Sequence, residues 1–321
     1  MNKNKKPIFN VIRHNRGILT VLILQFVLLS IFSPVFLSSS NLITLLQQIT
    51  NNMFIALAMS LVIITGGIDL SVGAIVALVG TLVAGLIINQ EVPMVLAILM
   101  GLSIGAIIGL LNGLVITRFK LPPFIVTLAT MNIARGAAYL YSGGSSLRIT
   151  QDAFNKMGTY RLFDIIPIPI VYMIIFIIIF STLLSKTKFG TGVYAIGGNR
   201  EAARLSGINT DKIEINVYLI SGFMAAFAGV VLAARMYSGQ PSIGQGYEMD
   251  AIAASVLGGI SMSGGKGRIS GTVIGALVIG IVSNGLNLLS VSSFWQLVVM
   301  GIIILAAVIV DAQKDRFSKS K

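Results

Sequence analysis

The residues of this chain that could do chemistry are polar side chains set among long apolar runs, and Asp69 is the first of them. It stands in the sequence Gly-Gly-Ile-Asp-Leu-Ser-Val-Gly at 66–73, between two apolar segments. A carboxylate at membrane depth is costly and marks a functional candidate. Asp and Ser are also good helix N-caps, so Asp69 and Ser71 are expected either to begin a helix near the cytoplasmic surface or to line a polar path. The paired glycines favour a break in the helix, which lipid tolerates only where the freed backbone lines a cavity.

The other polar groups inside the apolar runs are mostly neutral amides and hydroxyls. An uncharged path of Asn, Ser and Thr suits a carbohydrate, which a protein binds through several convergent hydrogen bonds. The candidate path residues are Asp69, Asn112, Thr127, Asn132, Ser255 and Asn284. The competing interpretation is that such residues bond between helices as packing contacts. Glu248 and Asp250 precede a short apolar segment and are expected at the outer mouth of the path, or as caps of that helix.

Several kinds of chemistry lack the residues they need. The chain has no Cys and a single His, so we predict no thiolate chemistry, no metal site and no catalytic residue. The sequence Gly-Gly-Lys-Gly at 264–267 differs from a phosphate-binding loop, because Ile260 stands where that motif needs Gly and Gly267 stands where it needs Ser or Thr. A tight basic turn is expected there, and the chain is expected to bind no cofactor itself.

The elements that must position these residues follow from the composition. Of the 321 residues 55% are hydrophobic and only 11% are charged, with a mean hydropathy of +0.91, whereas about a quarter of a soluble domain is charged. Most of the apolar surface must therefore face lipid. The 34 glycines suit helices that pack closely on one another in a membrane. The predicted fold class is an all-α membrane protein.

About ten apolar segments approach the length of about 20 residues that crosses the hydrocarbon core. They lie at 18–37, 42–65, 70–88, 92–116, 122–142, 166–184, 214–235, 250–262, 270–289 and 294–310. The eighth segment covers only about 20 Å of a core of about 30 Å. Its flanks must therefore extend it, or it must tilt little, or it is re-entrant.

The net charge of +12 is explained by membrane topology rather than by a nucleic acid partner. If all ten segments cross and the amino terminus is cytoplasmic, most of the 23 basic residues fall on the cytoplasmic side, as the positive-inside rule requires. The predicted organisation is a basic cytoplasmic segment at 1–17, a membrane domain at 18–311 and a basic cytoplasmic tail at 312–321.

One predicted cytoplasmic loop, at 185–213, differs from a plain linker. Gly197 and Gly198 offer flexible backbone, Asn199 can cap a helix and Gly207 can end it. The short Ala-rich helix expected between them presents Arg and Glu. Such a helix is typical of a surface that docks on another subunit, and a loop with no partner is the alternative.

These motifs together resemble a known family. The sequence Glu-Ala-Ala-Arg-Leu-Ser-Gly-Ile at 201–208 is similar to the coupling loop of bacterial ABC import permeases. Further stretches resemble, in order and spacing, the simple-sugar (ribose, xylose, autoinducer-2) permeases among them: 66–73, 247–259, 263–277 and 283–289. The resemblance runs from about residue 40 to 311 and is greatest to permeases that import ribose.

The resemblance implies a type II-like permease that forms a homodimer among the lipids of the bacterial inner membrane, with both termini cytoplasmic. It implies an ABC ATPase subunit with tandem nucleotide-binding domains, which uses ATP and Mg²⁺, and a sugar-binding protein that hands over ribose. Xylose, galactose and autoinducer-2 are alternative substrates. The coupling residues it implies are Gly198, Asn199, Arg200, Glu201, Ala202, Ala203, Arg204, Leu205, Ser206 and Gly207.

The residues alone leave three other classes of protein open. An ion-coupled secondary transporter needs carboxylates in the middle of its spans, and the acidic residues of this chain are expected at span ends or in loops. A membrane enzyme needs a nucleophile, a metal or an acid–base pair, for which the chain offers few residues. A structural scaffold is the third possibility.

Overall fold

The computed structural model of the chain describes residues 16–319, except the side chains of residues 16, 310, 312 and 314–319. This part of the chain contains thirteen helices and four strands of two residues each. The helices are α1 Arg16–Phe32, α2 Ser39–Ile64, α3 Val72–Ile88, α4 Met94–Phe119, α5 Pro123–Ser142, α6 Asp152–Thr159, α7 Ile168–Lys186, α8 Lys188–Gly198, α9 Arg200–Leu205, α10 Thr210–Met236, α11 Tyr247–Leu257, α12 Ile269–Leu288 and α13 Ser293–Lys319. The strands are β1 Leu147–Arg148, β2 Arg161–Leu162, β3 Ile166–Pro167 and β4 Ser238–Gly239, and they pair antiparallel as β1 with β4 and β2 with β3.

The helices confirm an all-α membrane protein. Five of those described, α2, α4, α7, α10 and α12, are long and apolar enough to cross a membrane. Three shorter apolar helices cover Gly17–Phe32, Val72–Ile88 and Ser293–Ile309. Each of the ten apolar segments overlaps one helix, and the number of crossings stays a prediction.

Two helices form the centre of the bundle. In α2 and α10 the most apolar stretch is 83% and 78% buried, against 22% in α4 and 28% in α7. Where the central helices meet, the ring of Phe54 packs edge-on against Phe227 and Phe176, with ring centroids 5.1 and 5.7 Å away. The outer helices leave broad apolar surfaces exposed, which marks them as the part that meets lipid.

The central helix α10 packs against α4 through small residues. Gly105, Gly109 and Gly113 recur every four residues along α4 and are buried. A β-carbon at Gly109 would overlap the backbone of Tyr218 on α10. Helices in a membrane gain little from hydrophobic burial against each other, so close backbone approach at small residues supplies much of their packing energy.

The bundle has two opposite ends. At one end, which we call the loop face, the Gly265 backbone N–H donates to the Ile64 carbonyl at the end of α2 at 2.8 Å. Gly197, at the end of α8, packs against the same carbonyl. At the other end, which we call the hairpin face, lie α6 and the two strand pairs.

Both described ends of the chain point to the loop face. In α13, Asp311 accepts a hydrogen bond from the Met262 backbone N–H at 2.9 Å, next to the turn at Gly265. In α1, Leu29 packs on Gly285 near the carboxyl ends of α1 and α12, so the two helices run in the same direction and α1 begins at the loop face.

The predicted terminal segments are only partly described. Most of the basic segment 1–17 lies outside the described residues. At the other end of the chain, α13 continues as one helix to Lys319 and covers the described part of the tail predicted at 312–321, whose separate cytoplasmic role stays a prediction.

The eighth apolar segment does not cross the bundle as one helix. It forms α11, whose 11 residues rise by about 16 Å. The nonhelical residues before α11 enter the bundle, and Gly244 packs backbone to backbone against Gly73 at the start of α3. Backbone of this kind is tolerated at membrane depth only when it is buried in protein. Glu248 and Asp250 therefore lie in the first turn of a helix that begins inside the bundle, as the capping interpretation expects, and their place at the mouth of a path stays a prediction.

The contact between α4 and α10 predicts a specific loss of stability. Gly109→Ala places a methyl group against the Tyr218 backbone, and overpacking of this kind costs about 1–3 kcal/mol. In Gly301→Ala on α13, the added methyl group would have no atom within 4 Å, so this variant serves as the control. Thermal unfolding of both variants in detergent measures the effect, and equal melting temperatures would contradict the close packing.

Candidate functional site

A buried carboxylate organises the polar residues of the bundle. Asp69 lies in the nonhelical residues 65–71 between α2 and α3 and is fully buried. Its Oδ1 accepts from the Ser71 backbone N–H at 3.0 Å and from the Ser71 hydroxyl at 2.6 Å. Its Oδ2 accepts from the Ser221 hydroxyl on α10 at 2.7 Å. Because a carboxylate removed from water needs such donors, Asp69 ties the break between α2 and α3 to the central helix.

Two more helices join this hydrogen-bond network. The Asn112 side chain on α4 donates to the Ser71 hydroxyl at 3.1 Å and accepts from the Thr130 hydroxyl on α5 at 2.6 Å. The Thr127 hydroxyl also reaches the Ile68 carbonyl at 3.3 Å. We call the connected side chains the Asp69 cluster: Asp69, Ser71, Asn112, Thr130 and Ser221.

The local role expected for Asp69 and Ser71 is seen only in part. Ser71 is the N-cap residue of α3, but its side chain makes no capping hydrogen bond. Asp69 bonds instead to the residue two places on, as in an Asx-turn. The break itself is confirmed, with Gly66 at φ +84° after the end of α2. Both residues are fully buried in the protein, and Asp69 contacts Ser221 on α10, so neither is exposed at a surface of the bundle.

The other three candidate path residues lie apart from the cluster. Asn284 exchanges two side-chain hydrogen bonds with Asn41 on α2, at 3.0 and 3.1 Å. Ser255 on α11 reaches the Ala56 carbonyl at 3.4 Å. Asn132 is exposed on α5. The structure therefore gathers three of the six candidates in one place, and Asn284 and Ser255 make the contacts between helices that the packing interpretation describes.

A second polar group lies where the nonhelical residues enter the bundle before α11. Arg135 on α5 donates to the Pro241 carbonyl at 2.8 Å and to the Ile243 carbonyl. Asp250 on α11 accepts from the Asn52 side chain on α2 at 3.1 Å. Arg135 thus satisfies backbone carbonyls that no helix can satisfy, and it holds the entering segment in place.

Sequence reasoning missed two residues of this region. Asn51 on α2 is 3% exposed, and neither atom of its amide has a hydrogen-bond partner. Arg235 on α10 donates to the Gln47 carbonyl at 2.7 Å. The sequence feature that could have identified Asn51 is the polar pair Asn51-Asn52 in the middle of a 26-residue apolar helix. Because a buried unpaired amide costs about 1–3 kcal/mol per group, Asn51 is a candidate for contact with a polar ligand.

The short helix predicted in the basic loop forms at the loop face. Helix α9 has Asn199 as its N-cap, whose side chain accepts from the Ala202 N–H at 2.9 Å. Gly207 follows the helix at φ +83°, a conformation that glycine adopts without strain. Of residues 198–207, only Ala203 is buried, so α9 presents most of its surface outward.

The glycines before α9 differ from expectation. Gly197 and Gly198 were expected to be flexible, yet they are the last two residues of α8. A β-carbon at Gly197 would overlap the Ile64 carbonyl and the Gly265 amide, whereas one at Gly198 would meet nothing within 4 Å. Backbone contact thus seats α8 on the end of α2.

The basic turn at 264–268 completes this seat. Gly264 and Gly265 have φ values of +81° and +71°, which confirms the tight turn predicted there. The Tyr194 hydroxyl on α8 donates to the Gly267 carbonyl at 2.8 Å. Burial raises the pKa of the Tyr194 phenol, and nearby Arg268 partly offsets the rise, so this phenol stays a hydrogen-bond donor at neutral pH.

A cavity of about 590 Å³ opens at the loop face between α9 and the end of α2. Its walls include Thr65 and Gly66, the corner between α4 and α5, and the first turns of α9 and α10. Both signs of charge line it: Lys120, Arg200 and Arg204, with Glu201, Asp211 and Glu214. The cavity thus separates α9 from the nonhelical residues 65–71 that carry Asp69, which we call the broken segment.

Comparison with protein families decides the class of this chain. Residues 41–308 match the family described as the branched-chain amino acid transport system permease component. The chain belongs to this family of transport permeases. The matched residues contain the Asp69 cluster, helix α9 and the cavity, so these features lie inside the family's shared domain.

Several curated relatives are sugar import permeases. The ribose import permease RbsC of Bacillus subtilis is 48% identical over 315 residues, which cover 98% of this chain and 97% of that protein. RbsC of Escherichia coli K12 is 44% identical over 301 residues, 92% of this chain and 93% of that protein. The L-arabinose permease AraH of E. coli K12 is 41% identical over 304 residues, 95% and 92% of the two chains. These relatives confirm the resemblance to sugar import permeases, and no solved structure matches the chain.

The backbone contact between Gly197 on α8 and the end of α2 predicts that substituting this glycine destabilises α8 locally. Gly197→Ala should push α8 away from the Ile64 carbonyl, so the backbone amides of residues 188–205 should exchange hydrogen at least about tenfold faster, as a loss of about 1.4 kcal/mol in local stability requires. Gly198→Ala should leave exchange unchanged. Hydrogen exchange followed by mass spectrometry compares the two variants, and equal protection would contradict the backbone seat.

Proposed function

We propose that this chain is the membrane-spanning permease of an ATP-driven ABC importer that carries ribose. The observation that carries the proposal is similarity over nearly the whole chain to ribose import permeases, at 48% and 44% identity. The family accounts for the transport role. The chain is a translocation subunit, and the chemical step of ATP hydrolysis belongs to a separate subunit.

An ATPase partner is proposed to dock on α9. The helix stands out from the bundle, with Ala203 as its buried residue and Leu205 83% exposed. An exposed leucine at the tip of a short capped helix is suited to fill an apolar pocket on a partner. Residues 198–207 would then be the coupling residues, and the partner, with tandem nucleotide-binding domains, would bind ATP and Mg²⁺.

The proposed orientation follows from the docking surface. The loop face lies in the cytoplasm, which puts both termini there, and the hairpin face meets a sugar-binding protein outside the bacterial inner membrane. The basic residues of the loop face, among them Lys120, Arg204 and Lys212, support this orientation through the positive-inside rule.

A second copy of the permease is proposed to pack against α5. Asn132 and Gly136 lie one turn apart on this helix, and both are exposed. An amide and a glycine on an outer helix surface suit contact with another helix better than contact with lipid, because small residues allow close approach and amides bond across interfaces.

Ribose is proposed to pass the polar groups inside the bundle. Asp69, Asn112 and Thr127 are the candidates gathered in one place, and Asp250 with Asn51 offers a second group. Asn284 and Ser255 already bond to neighbouring helices, so we assign them to packing.

The sequence argued against ion-coupled transport because its acidic residues were expected at the ends of spans. The structure weakens that argument. Asp69 and Asp250 were expected at span ends, yet both lie inside the bundle, where a coupling carboxylate would also lie. The reason to prefer ATP-driven import is therefore the family and its relatives. Arabinose is the second candidate substrate, since AraH of E. coli is 41% identical to this chain.

Uptake by proteoliposomes tests the class and the substrate. With the ATPase and the binding protein added, ribose uptake should require ATP, persist when the proton gradient is collapsed, and exceed arabinose uptake at least about tenfold, a difference of about 1.4 kcal/mol in recognition. Faster uptake of arabinose would overturn the substrate. Uptake that needs a proton gradient and no ATP would overturn the class.

The docking helix predicts a loss of assembly from one substitution. Leu205→Asp removes an apolar side chain whose burial is worth about 1.5–3 kcal/mol, so affinity for the ATPase should fall by about 10- to 100-fold. Phe163→Asp is the matched control, since Phe163 is 81% exposed at the opposite, hairpin face. Co-purification with the ATPase measures both variants, and equal binding would exclude α9 as the docking surface.

A further inference from the structure

An ion pair between a buried carboxylate and a half-exposed arginine joins α9 to the central helix α10. Glu214, one turn into α10, has a side chain only 6% exposed, and its Oε2 lies 2.6 Å from Nη1 of Arg200, the first residue of α9. Arg200 also pairs with Asp211 at 3.0 Å, but Asp211 is 62% exposed. Exposed pairs are worth little, whereas breaking a buried pair leaves an uncompensated charge and is costly. Arg200 therefore contacts both carboxylates and donates a hydrogen bond to Asp211, but the buried Glu214 is the partner that depends most on Arg200 for its charge to be compensated.

The remaining charges of α9 do not add a second link to the bundle. Glu201 and Arg204 pair with each other at 3.1 Å, and their side chains are 71% and 67% exposed. The side chain of Ala203, which is 4% exposed, also packs against the bundle. A displacement of α9 can therefore reach α10 through residues 206–209, which join the two helices in the chain, and through the side-chain contact of Arg200 with Glu214.

Glu214 shares one face of α10 with the contacts of the broken segment. Tyr218 and Ser221 follow it at spacings of four and three residues, which place side chains on the same helix face. Tyr218 is fully buried, and a β-carbon at Gly67 would overlap its hydroxyl. Ser221 donates to Asp69. The face that receives Arg200 thus also touches both ends of the stretch from Gly67 to Asp69.

The cavity at the loop face leaves room for movement. It lies between α9 and the residues Thr65 and Gly66 that begin the broken segment. Close-packed interiors transmit strain, so the ion pair and the face of α10 provide a packed route around this empty space.

We propose that Glu214 is a positioning residue for transport, which receives the movement of α9 through Arg200 and passes it along α10 to the broken segment at Asp69. This inference rests on the proposed function, in which an ATPase moves α9. Assembly with the ATPase needs only the surface of α9, whereas tying ATP hydrolysis to the movement of sugar needs the ion pair as well.

The test measures ribose uptake per ATP hydrolysed in proteoliposomes that contain the full complex. Glu214→Gln keeps the size of the side chain and removes its charge. Uptake per ATP should fall at least tenfold, while co-purification with the ATPase and the rate of ATP hydrolysis change less than twofold. Asp211→Asn, the matched change at the exposed partner of Arg200, should leave all three quantities unchanged.

Arg200→Gln removes the same ion pair by changing its more exposed partner. It should give the same loss, and the double variant with Glu214→Gln should be no worse than either single variant, because both remove one interaction. If Glu214→Gln does not accumulate in membranes, Arg200→Gln decides alone: assembly with a tenfold loss of uptake per ATP supports the proposal, and unchanged uptake per ATP overturns it.

The remaining outcomes distinguish a failure of this inference from a failure of the proposed transport function. Normal uptake per ATP by Glu214→Gln, or losses that add in the double variant, would overturn the role of the ion pair. A wild-type complex that fails to move ribose with ATP would instead overturn the proposed function.

Discussion

The burial of one carboxylate on nonhelical backbone constrains much of this bundle. Lipid offers no hydrogen bonds, so the polar groups of residues 65–71 must find their partners within the protein. Ser71 and Ser221 supply the partners of Asp69, and Asn112 extends the network to two further helices. The positions of α3, α4, α5 and α10 are therefore coupled to this one segment, and moving any of them disturbs the hydrogen bonds of a buried charge.

Close backbone contacts complement this polar network. At Gly109 the helices α4 and α10 touch backbone to backbone, and at Gly197 the helix α8 rests on the end of α2 in the same way. Contacts without side chains between them have little room to adjust, so displacements pass through them as rigid-body movements. A permease that changes conformation under the action of a partner needs both kinds of connection: rigid contacts within units and a few polar links between them.

Much of the architecture was predictable because lipid imposes a strong signal along the chain. Apolar runs of suitable length located ten of the thirteen described helices, and Asn199 and Gly207 located the start and end of α9, since capping depends on residues a few positions apart. Helices α6 and α8 were not predicted. The predictions that differed concern Gly197 and Asp69. Both were placed by assuming that helices run straight across and that chain between them lies at a surface. The entering segment before α11 and the break at Asp69 depart from that assumption.

The sequence by itself determined the membrane class, the ten apolar helices, the short capped helix α9 and the resemblance to sugar permeases. Hydropathy, capping and motif spacing are local properties, so they can be read from neighbouring residues. Only the tertiary structure decided which polar groups meet. Asp69 and Ser221 are 152 residues apart in the chain, and Arg200 pairs with the buried Glu214 as well as with the exposed Asp211. Such pairings depend on how helices pack and on how much water each partner loses, and neither quantity is present in the order of the residues.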